Sequence, residues 1–477
     1  MSITMKKNYQ LPDPKAERNR RNEARRVDFC LEDDLRTLGI GKTYYIRTYG
    51  CQANVRDSET LAGMLEMMGF NPVASPEEAD ISLFNTCAVR KAAEDHVLGE
   101  IGSLKPLKQA HPEKIFGICG CMAQEESMVA LVSERYPQVD LLFGTHNMEQ
   151  FPHLLSRVMA GERTIQVESE GSGSVVEGMP VERSRHYKAF VNIMYGCDKF
   201  CTYCIVPYTR GKERSRRSED VIREILAVKA QGAKEVTLLG QNVNAYGKDL
   251  GMEDGFSELL REAADTGIER IRFYTSHPRD YRESTIDVMV EHPNVMPALH
   301  LPVQSGSDEI LKRMNRGYTS SQFLTLYERM KEKIPGITFT TDLIVGFPSE
   351  TDAQFEETLS LVDHCQFDSA FTFVYSPREG TPAASFEDNV PLAVKKQRLA
   401  QLNERVGNYA RRNNEAEVGQ IRKVLCDGAS KKDPSVLCGY SEENRLVNFH
   451  SDTAREGDVV NVKITEARSF SLLGEAV

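Results

Sequence analysis

Short apolar runs alternate with longer amphipathic stretches along most of the chain. In the first third, each strand-like run precedes a stretch with apolar residues at helical spacing, and the runs are 44–48, 81–84, 115–118 and 139–143. After the first run, the apolar positions are Leu61, Met64, Leu65 and Met68. Repeated strand–helix units of this length predict an α/β domain with a doubly wound parallel sheet.

A second succession of strand-like and helical patterns begins near residue 187. Six apolar runs alternate there with six amphipathic stretches, and the runs are 188–194, 235–239, 271–274, 298–301, 338–345 and 370–375. Six consecutive βα units predict a partial (βα)6 barrel whose sheet is not fully closed. In barrels of this kind the chemistry lies at the carboxyl ends of the strands.

The end of the chain changes character again. Four short strand-like runs with turn residues between them predict a small all-β barrel, and they cover 418–426, 435–438, 445–449 and 458–466. The whole pattern predicts five segments: a flexible basic arm (1–40), an α/β domain (41–167), a Gly- and Ser-containing linker (168–186), a partial barrel (187–413) and the small β-barrel (414–477).

Composition indicates a globular protein. Of its 477 residues 40% are hydrophobic, no apolar stretch reaches the length of a membrane span, and the first 26 residues hold no signal-peptide core. We therefore expect a cytoplasmic protein without membrane contact. A net charge of −11 argues against a general nucleic-acid-binding surface, so any RNA contact needs a local basic patch. The arm is interpreted as a solvated leader, with RNA phosphate contact as the alternative for Arg18, Arg20, Arg21, Arg25 and Arg26.

Eleven cysteines in a chain of this length, without a secretion signal, indicate metal ligation or burial rather than disulfides. Three of them, Cys197, Cys201 and Cys204, form the barrel thiol set, spaced C-x3-C-x2-C after the first predicted barrel strand. Closely spaced thiolates suit a soft metal or an iron–sulfur cluster. Because a [4Fe–4S] cluster normally takes four thiolates, three would leave one iron free for another ligand.

A second group, Cys51, Cys87 and Cys121, forms the first-domain thiol set. Each of these cysteines follows a predicted strand of the first domain. Because the carboxyl ends of parallel strands lie along one edge, three loops there can bring three thiolates together. The alternative is that they are buried small hydrophobic residues. Cys119 is expected within the third strand and Cys121 in the loop after it.

The segment Y-G-C-D-K-F-C-T-Y-C-I-V-P-Y-T-R-G at 195–211 resembles the signature of the radical S-adenosylmethionine (SAM) methylthiotransferases. Segments 48–54, 85–90 and 120–124, around the first-domain thiol set, resemble further signatures of that family. The domain order is also similar: a methylthiotransferase N-terminal domain, a radical SAM barrel and a TRAM-type β-barrel. The run L-L-G-Q-N-V-N-A-Y at 238–246 is similar to the tRNA branch, which modifies N6-isopentenyladenosine next to the anticodon.

The resemblance implies a transferase that adds a methylthio group to C2 of that adenosine. The barrel thiol set would hold a [4Fe–4S] cluster that cleaves SAM to a radical, so no side chain is expected to be catalytic. The first-domain thiol set would hold a second [4Fe–4S] cluster that presents sulfur, and a second SAM would donate the methyl group. The alternatives are a methylthiotransferase for threonylcarbamoyl-adenosine of tRNA or a ribosomal protein aspartate, and a non-enzymatic iron–sulfur redox sensor that binds RNA. Open irons argue against the sensor.

Residues at the carboxyl ends of predicted barrel strands are candidates for binding SAM, with structural hydrogen bonding as the alternative. They are Gln241, Asn242, Gln304, Ser305, Asp342 and Gly346. A basic cluster around and after the barrel thiol set is a candidate for binding RNA, with a salt-bridged surface that balances an anionic cluster as the alternative. It comprises Lys199, Arg210, Lys212, Arg214, Arg216 and Arg217. The small β-barrel is a second RNA candidate.

The implied partners are a tRNA, through the anticodon stem-loop that carries isopentenyladenosine, an electron donor, and a donor of sulfur or of a cluster. Nothing in the sequence requires more than a monomer. No functional role is assigned to the remaining cysteines, which are Cys30, Cys119, Cys365, Cys426 and Cys438.

Overall fold

The computed structural model describes residues 25–89, 91–168 and 173–477. In chain order these residues form an α/β domain, an open barrel of six βα units and a closed five-stranded β-barrel. This confirms the predicted α/β fold class. None of the described helices is long and apolar enough to cross a membrane.

The first domain is a six-stranded parallel sheet with helices on both faces. The strands, in spatial order, are Asn71–Pro72, Thr43–Tyr49, Ile81–Thr86, Ile115–Gly120, Leu141–Phe143 and Thr164–Gln166. The α-helices are Gln52–Met67, Lys91–Ser103, Lys105–Ala110, Glu126–Arg135 and Phe151–Met159, with 3-10 turns at Cys121–Gln124 and Thr145–Gln150. Because successive strand residues point to opposite faces, Leu83 and Phe84 join two different apolar cores, one on each side of the sheet.

The strand order reverses beside the first strand of this sheet. Thr43–Tyr49 lies between Asn71–Pro72 and Ile81–Thr86, so the chain winds first to one side and then to the other. Doubly wound sheets bind ligands at the carboxyl ends of the strands that flank such a switch point. The loops after Thr43–Tyr49 and Ile81–Thr86 carry Cys51 and Cys87.

The predicted arm and linker are both too long. Strand Arg25–Asp28 pairs in parallel with strand Ser174–Glu177, and a 3-10 turn forms at Leu35–Thr37. Leu31 and Leu35 are buried in the core of the first domain. These apolar contacts explain why residues 25–40 do not form a flexible arm. Arg18, Arg20 and Arg21 lie outside the described residues.

The second domain is an open barrel made of two three-stranded parallel halves. Its strands are Lys188–Asn192, Glu235–Leu239 and Arg270–Tyr274 in one half, and Ala298–His300, Thr338–Val345 and Ser369–Val374 in the other. A single bridge between Ile271 and Val295 joins the halves. The first and last strands do not pair with each other, so the described barrel stays open, as predicted.

Helices cover the outer face of this barrel. They are Ser218–Ala230, Gly255–Asp265, Glu283–Glu291, Asp308–Arg313, Ser320–Lys333 and Asp352–Cys365, with 3-10 turns at Val243–Ala245, Pro278–Asp280 and Pro382–Ser385. The long helix Leu392–Glu415 packs on the last strand and leads into the third domain.

The third domain closes with one strand more than the sequence pattern predicts. Its strands, in spatial order, are Ile421–Ala429, Leu437–Ser441, Leu446–His450, Leu472–Ala476 and Val459–Ala467. The unpredicted strand Leu472–Ala476 has Gly474 at one of its two buried positions, which weakens the apolar alternation. Pairing with a neighbouring strand on each edge holds this segment in the sheet despite its weak apolar pattern.

The third domain covers the amino ends of the barrel strands. Arg270 and Arg272 donate to the backbone oxygen of Ser441 at 2.7 and 2.6 Å, and Thr338 donates to the backbone oxygen of Glu443 at 2.6 Å. Loops at the opposite, carboxyl ends of the strands contact the first domain, through Arg210 with Asp57 and Arg378 with Glu94.

Candidate metal centres

The barrel thiol set lies in a loop held by a short antiparallel pair. Strand Met194–Tyr195 precedes the loop and pairs with Arg214–Ser215, which follows it. Gly196 has φ +76°, and a Cβ there would lie 1.9 Å from the backbone oxygen of Lys212. Only glycine therefore allows this close crossing, after which the Cys197 N–H donates to the Gly211 oxygen at 3.0 Å.

In the barrel set Cys201 is buried, and Cys197 and Cys204 are half-buried. Burial, together with Glu213 and the neighbouring cysteines, raises the pKa of Cys197 well above its usual value. Burial also raises the pKa of Cys204, to about 12. The buried Arg316 donates from Nη1 to the Sγ of Cys201 at 3.4 Å. A cation thus lies beside thiols whose ionisation the protein interior disfavours.

The first-domain thiol set gathers at the carboxyl edge of its sheet. The neighbouring Cys87, and then the Arg210 guanidinium, lower the pKa of Cys51, and the Cys51 thiol lies 3.4 Å from Asn54 Oδ1. The Val89 N–H donates to the Sγ of Cys87 at 3.2 Å. As expected, Cys119 lies in strand Ile115–Gly120 and packs in the core, whereas Cys121 begins the turn after that strand.

An amide network ties the three cysteine-bearing loops together. Asn54 Nδ2 donates to Asn85 Oδ1 at 3.1 Å, and Asn85 Nδ2 donates to the Asn54 oxygen at 2.9 Å and to Ser58 Oγ at 3.0 Å. Gly120 has φ +91°, and a Cβ there would lie 2.2 Å from Asn85 Oδ1. Asn85 therefore bonds the helix after Cys51 to the strand before Cys87, and it packs closely against Gly120, which precedes Cys121.

Both thiol sets fit a cluster better than a single ion. Within residues 25–89, 91–168 and 173–477, no group of three His, Cys, Asp or Glu side chains converges on one metal ion. In a [4Fe–4S] cluster each thiolate binds a different iron, so its ligands lie further apart than the ligands of one ion. Three thiols at the end of a sheet or in one loop, with a guanidinium donating to one sulfur, suit an anionic cluster.

The two sets face each other across a small apolar contact. Ala88 and Cys121 of the first domain pack with Phe200, Ile205 and Tyr208 of the barrel loop, and all five are buried. The rings of Phe200 and Tyr208 meet edge to face, with 6.2 Å between their centroids. We call these five residues the interset core.

Arg210 crosses from the barrel to the first-domain thiol set. Its Nε donates to Cys121 Sγ at 3.1 Å, and its Nη2 pairs with Asp57 Oδ2 at 2.5 Å. Both charged residues are buried. The short helix Val206–Thr209 connects this arginine to Cys204 of the barrel set.

Four of the six SAM candidates remain compatible with ligand binding. Gln241 Oε1 accepts from the Gly196 N–H at 2.5 Å, and Asn242 donates to Asp280 at 2.7 Å while its buried Oδ1 has no partner among the described residues. Asp342 lies on the inner, partly exposed face of strand Thr338–Val345. Gln304, at φ +75°, pairs through its backbone with that strand.

The other two SAM candidates make contacts within the protein that favour the structural alternative, and their contact with SAM stays a prediction. Ser305 is fully buried, and its hydroxyl pairs with Thr358 at 3.2 Å. Gly346 adopts φ +69° and donates its N–H to Glu350 at 2.7 Å, and a Cβ there would meet Lys395 at 2.4 Å. These contacts account for both residues without a ligand.

Half of the basic cluster is paired with carboxylates inside the protein. Lys199 pairs with Asp280 at 2.5 Å, Arg216 pairs with Glu177 at 2.6 Å, and Arg210 is held as described above. Carboxylate partners favour the structural alternative for these three residues, and their contact with RNA stays a prediction. Arg214 and Lys212 are half-buried, and Arg217 is exposed.

Sequence reasoning missed Asp57, which pairs with Arg210, and Arg316, whose guanidinium contacts Cys201. Asp57 lies in the helix after Cys51, and Arg316 lies more than a hundred residues beyond Cys201. Neither residue belongs to a spacing pattern that indicates a ligand or its neighbour. Only the folded arrangement reveals them.

Three family models match successive parts of the chain. "Uncharacterized protein family UPF0004" matches residues 43–144, the radical SAM superfamily matches 191–362, and the TRAM domain matches 415–477. The open barrel with its three-cysteine loop therefore makes this a radical SAM protein. A solved structure of TsrM, a radical SAM methyltransferase from Kitasatospora setae, matches with a TM-score of 0.51 at 14% identity, over 72% of this chain and 77% of that one. This match supports the fold alone.

Full-length relatives define the family more narrowly. A protein of Bacillus cytotoxicus named tRNA-2-methylthio-N(6)-dimethylallyladenosine synthase is 52% identical over 98% of this chain and 93% of its own length. A protein of the same name from Anoxybacillus flavithermus is 53% identical over 94% of this chain and 86% of its own length. The chain belongs to the family of tRNA-2-methylthio-N(6)-dimethylallyladenosine synthases.

Proposed function

We propose that this protein methylthiolates C2 of N6-isopentenyladenosine, also called N6-dimethylallyladenosine, next to the anticodon of tRNA. One observation carries the proposal: two three-thiol sets, on two different domains, face each other across the interset core. The names of the full-length relatives agree with this reaction. They favour it over threonylcarbamoyl-adenosine and over a ribosomal protein aspartate as substrates.

Each thiol set would hold a [4Fe–4S] cluster with one iron open to another ligand. When bound, the barrel cluster supplies the electron that cleaves SAM, and the first-domain cluster supplies the sulfur to be transferred. Gln241, Asn242, Gln304 and Asp342 are the residues that we propose contact SAM. The buried interset core keeps water out of the contact between the two loops, and a dry site protects a reactive radical from side reactions.

The remaining polar residues near the barrel set hold its loops in place. Asp280 accepts from both Lys199 and Asn242, and it pairs with Lys248 at 2.6 Å. These cationic and amide partners lower the pKa of Asp280, so the carboxylate stays ionised. It thereby fixes Lys199, between two cluster ligands, and Asn242, a proposed SAM contact.

The partners follow from the reaction. We propose that tRNA binds through its anticodon stem-loop, with the TRAM domain and the exposed Arg217 as RNA contacts. The chemistry consumes an electron and a sulfur atom at each turnover, so an electron donor and a donor of sulfur or of a cluster are required. We propose that the protein acts in the cytoplasm as a monomer.

Cysteine variants of the reconstituted protein test the proposal. The assay uses an anticodon stem-loop RNA with isopentenyladenosine, SAM and dithionite, and mass spectrometry follows both SAM cleavage and the RNA product. We expect Cys201→Ala to abolish cleavage and Cys51→Ala to retain cleavage without forming the methylthio product. Normal product from the Cys51→Ala variant would refute the sulfur role of the first-domain set. RNA carrying threonylcarbamoyl-adenosine serves as the substrate control and should remain unmodified.

A further inference from the structure

The two thiol sets differ in the charge that accompanies them. Arg210 contacts Cys121 and is neutralised by Asp57, whose Oδ2 lies 2.5 Å from its Nη2. Arg316 contacts Cys201 and otherwise donates to the Pro302 oxygen at 2.8 Å and to the hydroxyl of Tyr318 at 3.1 Å. Its remaining partner is the hydroxyl of Tyr203 at 3.5 Å, and across the described ranges of the chain no carboxylate pairs with Arg316.

This difference has an electrostatic consequence for any cluster bound there. Reduction adds a negative charge, so a cation or a hydrogen bond at a cysteine sulfur favours the reduced state. A nearby carboxylate opposes reduction, and both effects are strong in a buried site with little screening. At the first-domain set the two effects counteract each other, whereas at the barrel set the cation acts alone.

We propose that Arg210 and Asp57 act as an opposed pair that sets the reduction potential of the first-domain cluster. Arg210 raises that potential and Asp57 holds it down, so the sulfur-presenting cluster stays oxidised while the barrel cluster accepts the electron. The proposal rests on the cluster assignment made above. Both residues are positioning residues, because they act through the cluster and its cysteines and not on the substrate.

The geometry shows why an arginine is needed at this position. Its guanidinium presents separate N–H groups to Cys121 and to Asp57 at the same time, as a planar fork does. A lysine would keep the charge but would place one compact ammonium between the two partners. The Asp57 carboxylate lies in the helix that starts after Cys51, so the pair also connects two of the three ligand loops.

To test the proposal, each cluster is first isolated by mutation of the other thiol set, and its reduction potential is then measured. A full-length variant with Cys197, Cys201 and Cys204 changed to Ala retains only the first-domain cluster, which is reconstituted and titrated with dithionite and mediators while EPR follows reduction. In this background we expect Arg210→Gln to lower the midpoint potential, Asp57→Asn to raise it, and Arg210→Lys to lie between Arg210→Gln and the parent. Iron and sulfide analysis confirms that each variant carries its cluster.

Arg316 provides the matched control. Arg316→Gln should leave the first-domain potential unchanged and should lower the potential of the barrel cluster in a variant that lacks the first-domain thiols. A purely structural role predicts loss of iron or shifts of equal sign for Arg210→Gln and Asp57→Asn, and either result would overturn the proposal. If the parent variant itself binds no iron, the cluster assignment fails, which is a different outcome from an unchanged potential in a loaded protein.

Discussion

The chain brings three cysteines together in both thiol sets, but it does so in two different ways. Cys197, Cys201 and Cys204 share one loop, whose shape is set by Gly196 and by a two-residue strand pair. The members of the first-domain set are 36 and 34 residues apart and meet only because three parallel strands lie in register. A local set depends on its own loop, whereas a dispersed set depends on the whole domain. A change at the carboxyl edge of the first-domain sheet should therefore disturb the first-domain set and leave the barrel set intact.

The largest effect is expected from Gly120→Val. A β-branched residue at φ +91° is strained, and its Cβ would overlap Asn85 Oδ1 and the Thr86 backbone. We expect a loss of about 4 kcal/mol in the free energy of unfolding, from strain and overpacking together. Iron bound to the first-domain set should be lost while SAM cleavage by the barrel set persists, as measured by iron analysis and a cleavage assay.

A glycine of the same domain provides the control. Gly102 lies in helix Lys91–Ser103, and a Cβ there would have no neighbour within 4 Å. Gly102→Ala should therefore be neutral or stabilise by about 0.5 to 1 kcal/mol. Equal iron loss in both glycine variants would show that the first-domain set is not specifically sensitive to its sheet edge.

The barrel also supports the first-domain set, and Arg378→Ala should reveal this. Arg378 pairs with the buried Glu94 at 2.6 Å and donates to the Val89 oxygen at 2.7 Å, two residues after Cys87. Removing it leaves the buried Glu94 with only Lys91, at 3.2 Å, as a cationic partner, so we expect a cost of about 2 kcal/mol. We expect faster proteolysis within the first domain and weaker iron retention there. The double variant Arg378→Ala/Glu94→Gln should recover part of this loss, and no recovery would contradict a charge-pairing role.

Asn85→Ala tests the amide network that links the three loops. The change leaves Asn54 and Ser58 without their buried partner, so the free energy of unfolding should fall by about 2 kcal/mol. Chemical denaturation measures the loss, and EPR of the first-domain cluster reports the change around its ligands. An unaltered EPR signal would mean that the network stabilises the domain without positioning the cysteines.

The smallest effect concerns the pH dependence of stability. Burial, with Glu94 nearby, raises the pKa of Glu125 to about 7, and its Oε1 has no partner among the described residues. The folded state therefore binds this proton more tightly than the unfolded state, and stability declines as pH rises from about 4.5 to 7. Glu125→Gln should remove that decline and stabilise the protein by about 1 kcal/mol at pH 8, with little effect at pH 4.5. Thermal unfolding across this range measures the difference, and an equal shift at all pH values would contradict it.

The contrast between a local and a dispersed thiol set also explains which features the sequence could predict. Hydrophobic periodicity predicts the two α/β domains because their strands and helices each carry a complete local pattern. The barrel set is visible as a linear motif, and the first-domain set emerges from strand ends and from family resemblance. Asp57 and Arg316 could not be predicted, since their roles depend on contacts made only after the domains pack. Likewise Leu31 and Leu35 carry too little periodicity to show that residues 25–40 are packed.

The short helix Val206–Thr209 sets the spacing between the two thiol sets. It sets the interval from Cys204, a ligand of one set, to Arg210, which contacts the other. Inserting or deleting one residue in a helix turns everything beyond it by about 100°. Such a change would swing Arg210 away from Cys121 even if every cysteine remained. The number of residues between Cys204 and Arg210 therefore matters as much for the contact with Cys121 as the identity of those two residues.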